Sequence, residues 1–237
     1  MESIELIVVA VIGYLLGSIS FARLIPRIVD PKADLSDISL PVQDSEERMP
    51  MLAMGANTAS IKYGSKVGCS IGLLDMLKVF IPTLAVRLLY PGESYYLIAA
   101  TAGFIGHCWP IYYEFKGGRG ISPFYGALFA IDPLGALVVA SVGMFIGMVL
   151  LKELLVAYTG GVYLTIVWFA ITSGWGPLLI YSLIINVLFI VALIPELKMM
   201  REMRQKYGKG DMRNSMNTFP MGQAMLKLME ALKIQRK

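Results

Sequence analysis

The sequence predicts an all-α, polytopic membrane protein with seven transmembrane helices, one of them short. Its 237 residues are 56% apolar and only 16% charged, which is too apolar for a soluble domain with a wet surface. The apolar residues form runs of about 20, the length that a helix needs to cross a bilayer with its backbone polar groups paired internally. Lys and Arg are confined to alternate loops, which predicts an N-terminus outside and a C-terminus in the cytoplasm.

Six of the apolar runs are long enough to span a membrane unaided. They are residues 4–25, 71–89, 95–113, 134–151, 154–172 and 177–194. A seventh run, 121–131, is too short to cross alone, yet it lies between a charged loop and the turn Asp132-Pro133. We therefore expect a short or tilted helix buried among the others, within a membrane domain of residues 1–195.

The orientation follows from the cationic residues. With seven spans, one set of loops comprises 26–70, 114–120, the turn near Lys152 and the tail 196–237, and this set holds 18 of the 21 Lys and Arg. Cations are retained on the cytoplasmic side during insertion, so the loop 26–70 and the basic tail are predicted to be cytoplasmic. Six spans would place Lys152 and the tail opposite the first loops. The topology also accounts for the net charge of +4 without a nucleic acid partner, and the tail suits acidic lipid headgroups.

A few polar residues lie within the apolar runs, where they are costly unless they face protein. Asp75 and Lys78 are three residues apart on one helical face and are predicted to form an ion pair, in either a structural or a functional role. His107 is the only histidine and has no Cys or Asp cluster near it, so no metal site is predicted. The spacing of Gly13 and Gly17 permits close contact between helices.

The segment 115–120, Phe-Lys-Gly-Gly-Arg-Gly, has the composition of an anion-binding loop. Its glycines let backbone N–H groups approach an anion closely, and Lys116 and Arg119 add positive charge. A helix is predicted to begin directly afterwards, with the positive end of its dipole nearby. Such a loop suits a phosphate group. A flexible loop whose cations only fix its side of the membrane fits the same hexapeptide equally well.

Four segments together resemble a known family. Residues 13–21 read G-Y-L-L-G-S-I-S-F, and they are followed by G-S-K-V-G at 64–68, L-D-M-L-K at 74–78 and G-H-C-W-P-I-Y-Y-E-F-K-G-G-R-G at 106–120. In order and spacing they resemble the motifs of the bacterial acyl-phosphate:glycerol-3-phosphate acyltransferases. The resemblance covers about residues 11 to 195. It implies a seven-helix inner-membrane enzyme that makes lysophosphatidic acid without acyl-CoA.

Two cytoplasmic motifs depart from the family pattern. The family's S-G-N-x-G-A-T-N is reduced to Gly55-Ala56-Asn57-Thr58, which lacks the serine and the first asparagine, and Lys62 stands beside the place of the following arginine. The family's H-R-x-N-I-x-R-L-x-x-G corresponds to the stretch 198–208. In that alignment Lys198 and Arg201 occupy the places of the histidine and the asparagine.

The resemblance implies transfer of a fatty acyl group from acyl phosphate to glycerol 3-phosphate, or to a related phosphorylated acceptor, in phospholipid biosynthesis without a cofactor. It implies catalytic roles, through stabilisation of negative charge, for Lys116, Arg119 and Arg201. Substrate-binding roles are expected for Gly117, Gly118, Gly120, His107, Asn57, Thr58, Lys62, Lys66 and Lys198. The missing motif residues motivate an alternative, a non-catalytic paralogue that binds a lipid phosphate or scaffolds a membrane partner.

Overall fold

The structure, a computed structural model, describes residues 2–29, 38–41, 48–50, 55–207 and 220–231. These residues form helices and one short antiparallel hairpin, in which Leu40 pairs with Met49. The elements, in chain order, are α1 (Glu2–Gly17), α2 (Phe21–Val29), β1 (Ser39–Pro41), β2 (Arg48–Pro50), α3 (Ala56–Tyr63), α4 (Ser65–Leu89), α5 (Tyr95–Cys108), α6 (Ile121–Ile131), α7 (Pro133–Phe145), α8 (Leu154–Thr172), α9 (Pro177–Tyr207) and α10 (Pro220–Ala231). A 3-10 turn, Ile111–Tyr113, follows α5, and a π-helical turn, Ile146–Leu150, extends α7.

Five stretches of the described helices are long and apolar enough to cross a membrane. They are Ser3–Ile28, Ser65–Leu89, Pro133–Leu150, Leu154–Thr172 and Pro177–Glu202. They correspond to five of the six long runs predicted from the sequence. The short helix expected at 121–131 is confirmed as α6, with the same bounds.

The remaining long run, 95–113, is helical only as far as Cys108. Pro110 lacks a backbone N–H and disfavours the helical conformation in Trp109, so α5 ends just before this pair. Its 14 residues extend for about 21 Å at 1.5 Å per residue, less than the roughly 30 Å of a hydrocarbon core. The third span is therefore shorter than the sequence predicted.

The first and last apolar runs also differ from the helices that the sequence predicted. The first run is interrupted between Gly17 and Phe21, where α1 gives way to α2. The last run continues past its predicted end at residue 194, through Pro195, to Tyr207. As a result, the start of the predicted tail is part of α9, and its polar residues are carried on one continuous helix.

The core lies where α5 and α6 meet α8 and α9. Four phenylalanines, one from each of these helices, are almost completely buried: Phe104, Phe124, Phe169 and Phe189. The outward faces of the long helices carry exposed large apolar side chains, such as Leu88. An apolar surface of this extent is unusual in water, and it fits helices whose length and composition suit a bilayer.

The expected close contact at Gly13 and Gly17 is confirmed, and its partner is α5. A methyl group at Gly13 would lie 2.9 Å from the carbonyl oxygen of Ala99, and one at Gly17 would overlap the carbonyl oxygen of Gly103. A methyl group at Gly106 would likewise overlap the carbonyl oxygen of Tyr14. Glycine on both helices therefore lets the two backbones touch, which fixes the end of α5 beside the break between α1 and α2.

Candidate functional site

One end of the bundle brings together α3, the first half of α4, the end of α5 and the start of α6. Gly72 of α4 marks this junction, since a methyl group there would lie 3.5 Å from the Cβ of Ala56 and 3.8 Å from Oγ of Ser122. Several of the site residues that the sequence predicts lie in the same region. The loop 114–120 connects α5 to α6 across it.

Asp75, Lys78 and His107 form a buried polar cluster beneath this loop. The ammonium group of Lys78 lies 2.8 Å from Oδ1 of Asp75, and each side chain is only 4% exposed, so the predicted ion pair is confirmed. Lys78 also donates to the carbonyl oxygen of Ile19 at 2.6 Å, in the break between α1 and α2. Nδ1 of His107 lies 3.7 Å from the same Asp75 oxygen. The charges of Asp75 and Lys78 are thus paired within the bundle, as buried charges require.

His107 supports the glycine loop directly. The backbone N–H of Gly118 donates to the carbonyl oxygen of His107 at 3.1 Å. A methyl group at Gly118 would overlap Nε2 of the imidazole, and one at Gly117 would overlap the His107 carbonyl oxygen. The two glycines are required here because the loop lies against the histidine without space for a side chain.

The loop ends in a conformation that favours glycine and leads straight into α6. Gly120 has φ +87°, in the left-handed region, and a methyl group there would overlap the ring of Phe104. Its carbonyl oxygen accepts the first bond of α6, from the N–H of Phe124 at 2.9 Å. The N-terminal, positive end of the α6 dipole therefore adjoins the glycine loop, as the sequence predicted.

Lys116 lies at the exposed edge of the loop. Its ammonium group pairs with Oε2 of Glu114 at 2.9 Å, and the two side chains are 75% and 82% exposed. The hydrogen bond from Lys116 lowers the pKa of the Glu114 carboxyl. The Lys116 carbonyl oxygen accepts a bond from Arg23 at 2.7 Å, and that guanidinium lies 4.4 Å from the centre of the Tyr113 ring.

Arg119 is mostly enclosed and pairs with Glu196 of α9. Its Nε contacts Oε2 of Glu196, and the two side chains are 21% and 14% exposed. Burial lowers the pKa of the Arg119 guanidinium, and the neighbouring carboxylate opposes that shift. The contact ties the glycine loop to the last helix of the bundle.

Glu196 was missed when the site was predicted from the sequence. A signal was available, because it is the only acidic residue between positions 177 and 201, a stretch that is otherwise mostly apolar. An ionisable residue at the end of an apolar span usually faces protein or a cavity and has a partner. The sequence does not indicate which cation that partner is.

The other predicted residues are more dispersed. At the start of α3, Asn57 is half-buried and Thr58 is buried. The four predicted cations outside the loop are exposed, namely Lys62, Lys66, Lys198 and Arg201. In the described part of the chain, Lys198 and Arg201 make no hydrogen bond or ion pair with the loop. They follow Glu196 by two and five residues, spacings that place them on other faces of α9.

The structure thus brings together His107, Gly117, Gly118, Arg119 and Gly120, while Lys116 lies at the rim. Across the described ranges, there is no group of three or more His, Cys, Asp and Glu side chains that could hold a metal ion. An enclosed arginine, the backbone N–H groups of Gly117 and Gly120 and the N-terminal end of a helix are groups of the kind that bind anions in proteins.

The chain is similar in sequence to proteins of one family. The family model described as "Glycerol-3-phosphate acyltransferase" matches residues 43–203. A glycerol-3-phosphate acyltransferase of Mycoplasma mycoides subsp. mycoides is 31% identical over 182 residues, which are 73% of this chain and 66% of that protein. One of Pelagibacter ubique is 36% identical over 129 residues, 54% of this chain and 60% of that protein. The chain thus spans somewhat less than two thirds of the length of these curated relatives.

The fold is similar to two crystal structures of PlsY, an integral membrane glycerol 3-phosphate acyltransferase. The glycerol 3-phosphate form has a TM-score of 0.69 and 23% sequence identity, covering 84% of this chain and 94% of that one. The lysophosphatidic acid form has a TM-score of 0.67 and 24% identity, covering 84% of this chain and 93% of that one. At this level of identity, the likeness establishes the arrangement of the helices.

Proposed function

We infer the function from the premise that this chain belongs to the glycerol-3-phosphate acyltransferase family. We propose that it transfers a fatty acyl group from acyl phosphate to glycerol 3-phosphate, or to a related phosphorylated acceptor, in phospholipid biosynthesis. We place it in the bacterial inner membrane, with membrane lipids around the bundle and the site at the cytoplasmic end. The observation that carries the proposal is the glycine loop, which lies on His107 and holds Arg119 beside the start of α6.

This arrangement suits a reaction whose donor is already activated. The acceptor hydroxyl oxygen forms a bond to the acyl carbonyl carbon, and the bond from that carbon to the phosphate oxygen breaks. Phosphate leaves with the electron pair and takes up the hydroxyl proton, so no protein base is required. The protein has to align the two reactants and stabilise the negative charge on phosphate.

The residues have separate proposed roles. Arg119, Lys116 and the N–H groups of Gly117 and Gly120 hold phosphate, while the N–H of Gly118 bonds to the carbonyl oxygen of His107, which fixes the loop from below. Asn57 and Thr58 at the start of α3 are proposed to contact the acceptor. Further positive charge is assigned to four other exposed cations, Lys62, Lys66, Lys198 and Arg201.

The seven-span topology is part of the same proposal. Five stretches are long enough to cross, and the shorter α5 and α6 complete the seven as enclosed helices. With the N-terminus outside, the predicted cytoplasmic loops hold 18 of the 21 Lys and Arg. The glycine loop then faces the cytoplasm, where soluble phosphorylated acceptors are available.

The non-catalytic alternative is less well supported, because the relatives in sequence are named for catalysis. An assay of the purified chain with palmitoyl phosphate and glycerol 3-phosphate separates the two possibilities. We expect release of inorganic phosphate in step with formation of lysophosphatidic acid. A panel of other phosphorylated acceptors, assayed in parallel, identifies the preferred acceptor. Tight binding of glycerol 3-phosphate without turnover would establish the binding-only paralogue instead.

A further inference from the structure

Glu196 is a mostly enclosed acidic residue at a position where an apolar residue would be easier to accommodate. It follows Pro195 on α9, and its side chain is only 14% exposed. Removing a carboxylate from water is costly, and a buried ion pair is often no more stabilising than well-packed apolar residues. The Glu196–Arg119 pair therefore needs an explanation other than stability of the fold.

The atoms in contact indicate what the pair does. Glu196 approaches Nε of Arg119, which lies on one edge of the planar guanidinium. An arginine has five N–H donors in a fixed fork, so a partner at Nε leaves Nη donors for a second anion. Among the described residues, no acceptor is bound to Nη1 or Nη2 of Arg119. The side chain remains 21% exposed, so a ligand can reach it.

The loop itself gives Arg119 little support. It lies between Gly118 and Gly120, which have no side chains to pack against it. Lys116 of the same loop shows the contrast, because its partner Glu114 is 82% exposed, and surface pairs of this kind order a side chain only weakly. A long side chain between two glycines needs an anchor from another element, and α9 provides one.

We propose that Glu196 is a positioning residue, whose carboxylate holds the Nε edge of Arg119 so that the Nη groups face the phosphate of a bound substrate. This inference rests on the proposed function, in which Arg119 binds phosphate. Glu196 itself does not contact the reacting atoms. Its effect on the reaction is transmitted entirely through the orientation of Arg119.

Three variants of the full-length chain, purified in lipid nanodiscs, test this role, with palmitoyl phosphate and glycerol 3-phosphate as substrates. Glu196→Ala removes the anchor and is expected to lower kcat/KM for glycerol 3-phosphate at least about tenfold. Glu196→Gln keeps a side-chain oxygen of the same reach that can face Nε, and it is expected to retain activity within about threefold. The exchange Arg119→Glu with Glu196→Arg retains an ion pair but moves the guanidinium to α9. We expect it to recover the thermal stability of the wild type without recovering turnover.

Glu202→Gln serves as the matched control, since it removes an exposed carboxylate from the same helix and is expected to change nothing. Activity is compared per folded protein, well below each variant's Tm. Unchanged activity in Glu196→Ala, or full activity in the exchanged pair, would show that the contact is only structural. If the exchanged pair does not fold, the contrast between Ala and Gln at position 196 decides.

Measurements on the wild-type protein show separately whether the proposed function itself is wrong. A wild-type protein that binds glycerol 3-phosphate without turnover rejects the enzyme, and the effect of Glu196→Ala on that affinity then decides the positioning role. A wild-type protein that binds no glycerol 3-phosphate overturns both.

Discussion

Lys116 and Arg119 flank the same two glycines, yet their surroundings give them different capacities. Lys116 is 75% exposed, so water and salt screen its charge. Arg119 is 21% exposed and held by Glu196, so its interactions with an anion are screened less. Of the two cations that the sequence predicts for phosphate binding, Arg119 is therefore expected to contribute more.

Removing Arg119 alone would leave the mostly enclosed carboxylate of Glu196 without its partner, which is destabilising in itself. The informative variant is therefore Arg119→Ala combined with Glu196→Gln, with Glu196→Gln alone as its control. A charge-assisted contact is worth about 1.5 to 3 kcal/mol, so affinity for glycerol 3-phosphate should fall about 10- to 100-fold. Lys116→Ala should have a smaller effect. Isothermal titration checks both, and an equal loss at the two positions would contradict the ranking.

Arg201 allows a second test at this scale. We propose that it stabilises the phosphate that departs, and such a contact needs fixed geometry, whereas attraction to acidic lipid does not. Arg201→Gln should therefore lower kcat at least about tenfold, or about 1.4 kcal/mol, with little change in KM. Lys227→Gln, an exposed cation of α10, is the control. Small and equal effects of the two changes would leave Arg201 as a cation of the membrane surface only.

At the scale of helices, the position of the site depends on close contacts between backbones. α1 and α5 touch through glycines, and this contact brings the end of α5, with His107, next to Ile19 and Lys78. A different type of contact holds α10, which lies outside the segment that matches the family. Its Leu226 and Met229 pack with Met148 and Ala157 of the π-helical turn and α8.

Gly17→Ala tests the contact between α1 and α5. The added methyl group would overlap the backbone of Gly103, which cannot move aside as a flexible side chain does. Overpacking of this kind costs about 1 to 3 kcal/mol, so Tm in detergent should fall by several degrees. Gly176→Ala is the matched control, since a methyl group there meets nothing within 4 Å. An unchanged Tm for Gly17→Ala would show that the helices separate easily at this point.

Leu226→Asp tests the attachment of α10. Leu226 is 7% exposed, and burying such a side chain is worth about 1.5 to 3 kcal/mol. Its replacement by a charge should release the helix, which hydrogen exchange over residues 220–231 would show as faster exchange. Lys227→Asp, on the exposed face of the same helix, should leave exchange unchanged. Slow exchange in both variants would mean that other contacts hold α10.

At the scale of the whole molecule, the predicted topology places the site and most cations at one end. At the opposite end Arg87 has a structural role, because its guanidinium donates to the carbonyl oxygens of Ala130 and Ile131 at 2.7 and 2.8 Å, at the end of α6. Because Arg87 has this structural role at a helix end, its position is compatible with a predicted topology in which the other loop cations are cytoplasmic. α5 and α6 are shorter than the long helices that enclose them.

The two cysteines make the topology testable with little change to the chain. Cys69 is exposed near the start of α4, whereas Cys108 is buried. A membrane-impermeant maleimide should label Cys69 only after right-side-out spheroplasts are opened. In a Cys69→Ser background, Ser173→Cys, which is exposed between α8 and α9, should label in intact spheroplasts. The reverse pattern would require the opposite orientation.

The sequence by itself determined the helical membrane class of the protein, the positions of its five long apolar helices and of α6, and the family to which it belongs. It could do so because apolar runs and their lengths are local properties, as are the glycine loop and the bounds of α6. It also located the Asp75–Lys78 pair, because the two residues are one helical turn apart.

The tertiary structure alone decided which groups meet across the bundle. The partnership of Arg119 with Glu196 joins residues 77 positions apart, and that of His107 with Asp75 joins two different helices. Neither has a local spacing that could reveal it. The support of the loop by His107 also depends on how closely the helices approach. Such contacts are fixed by packing of the whole chain, which no single segment encodes.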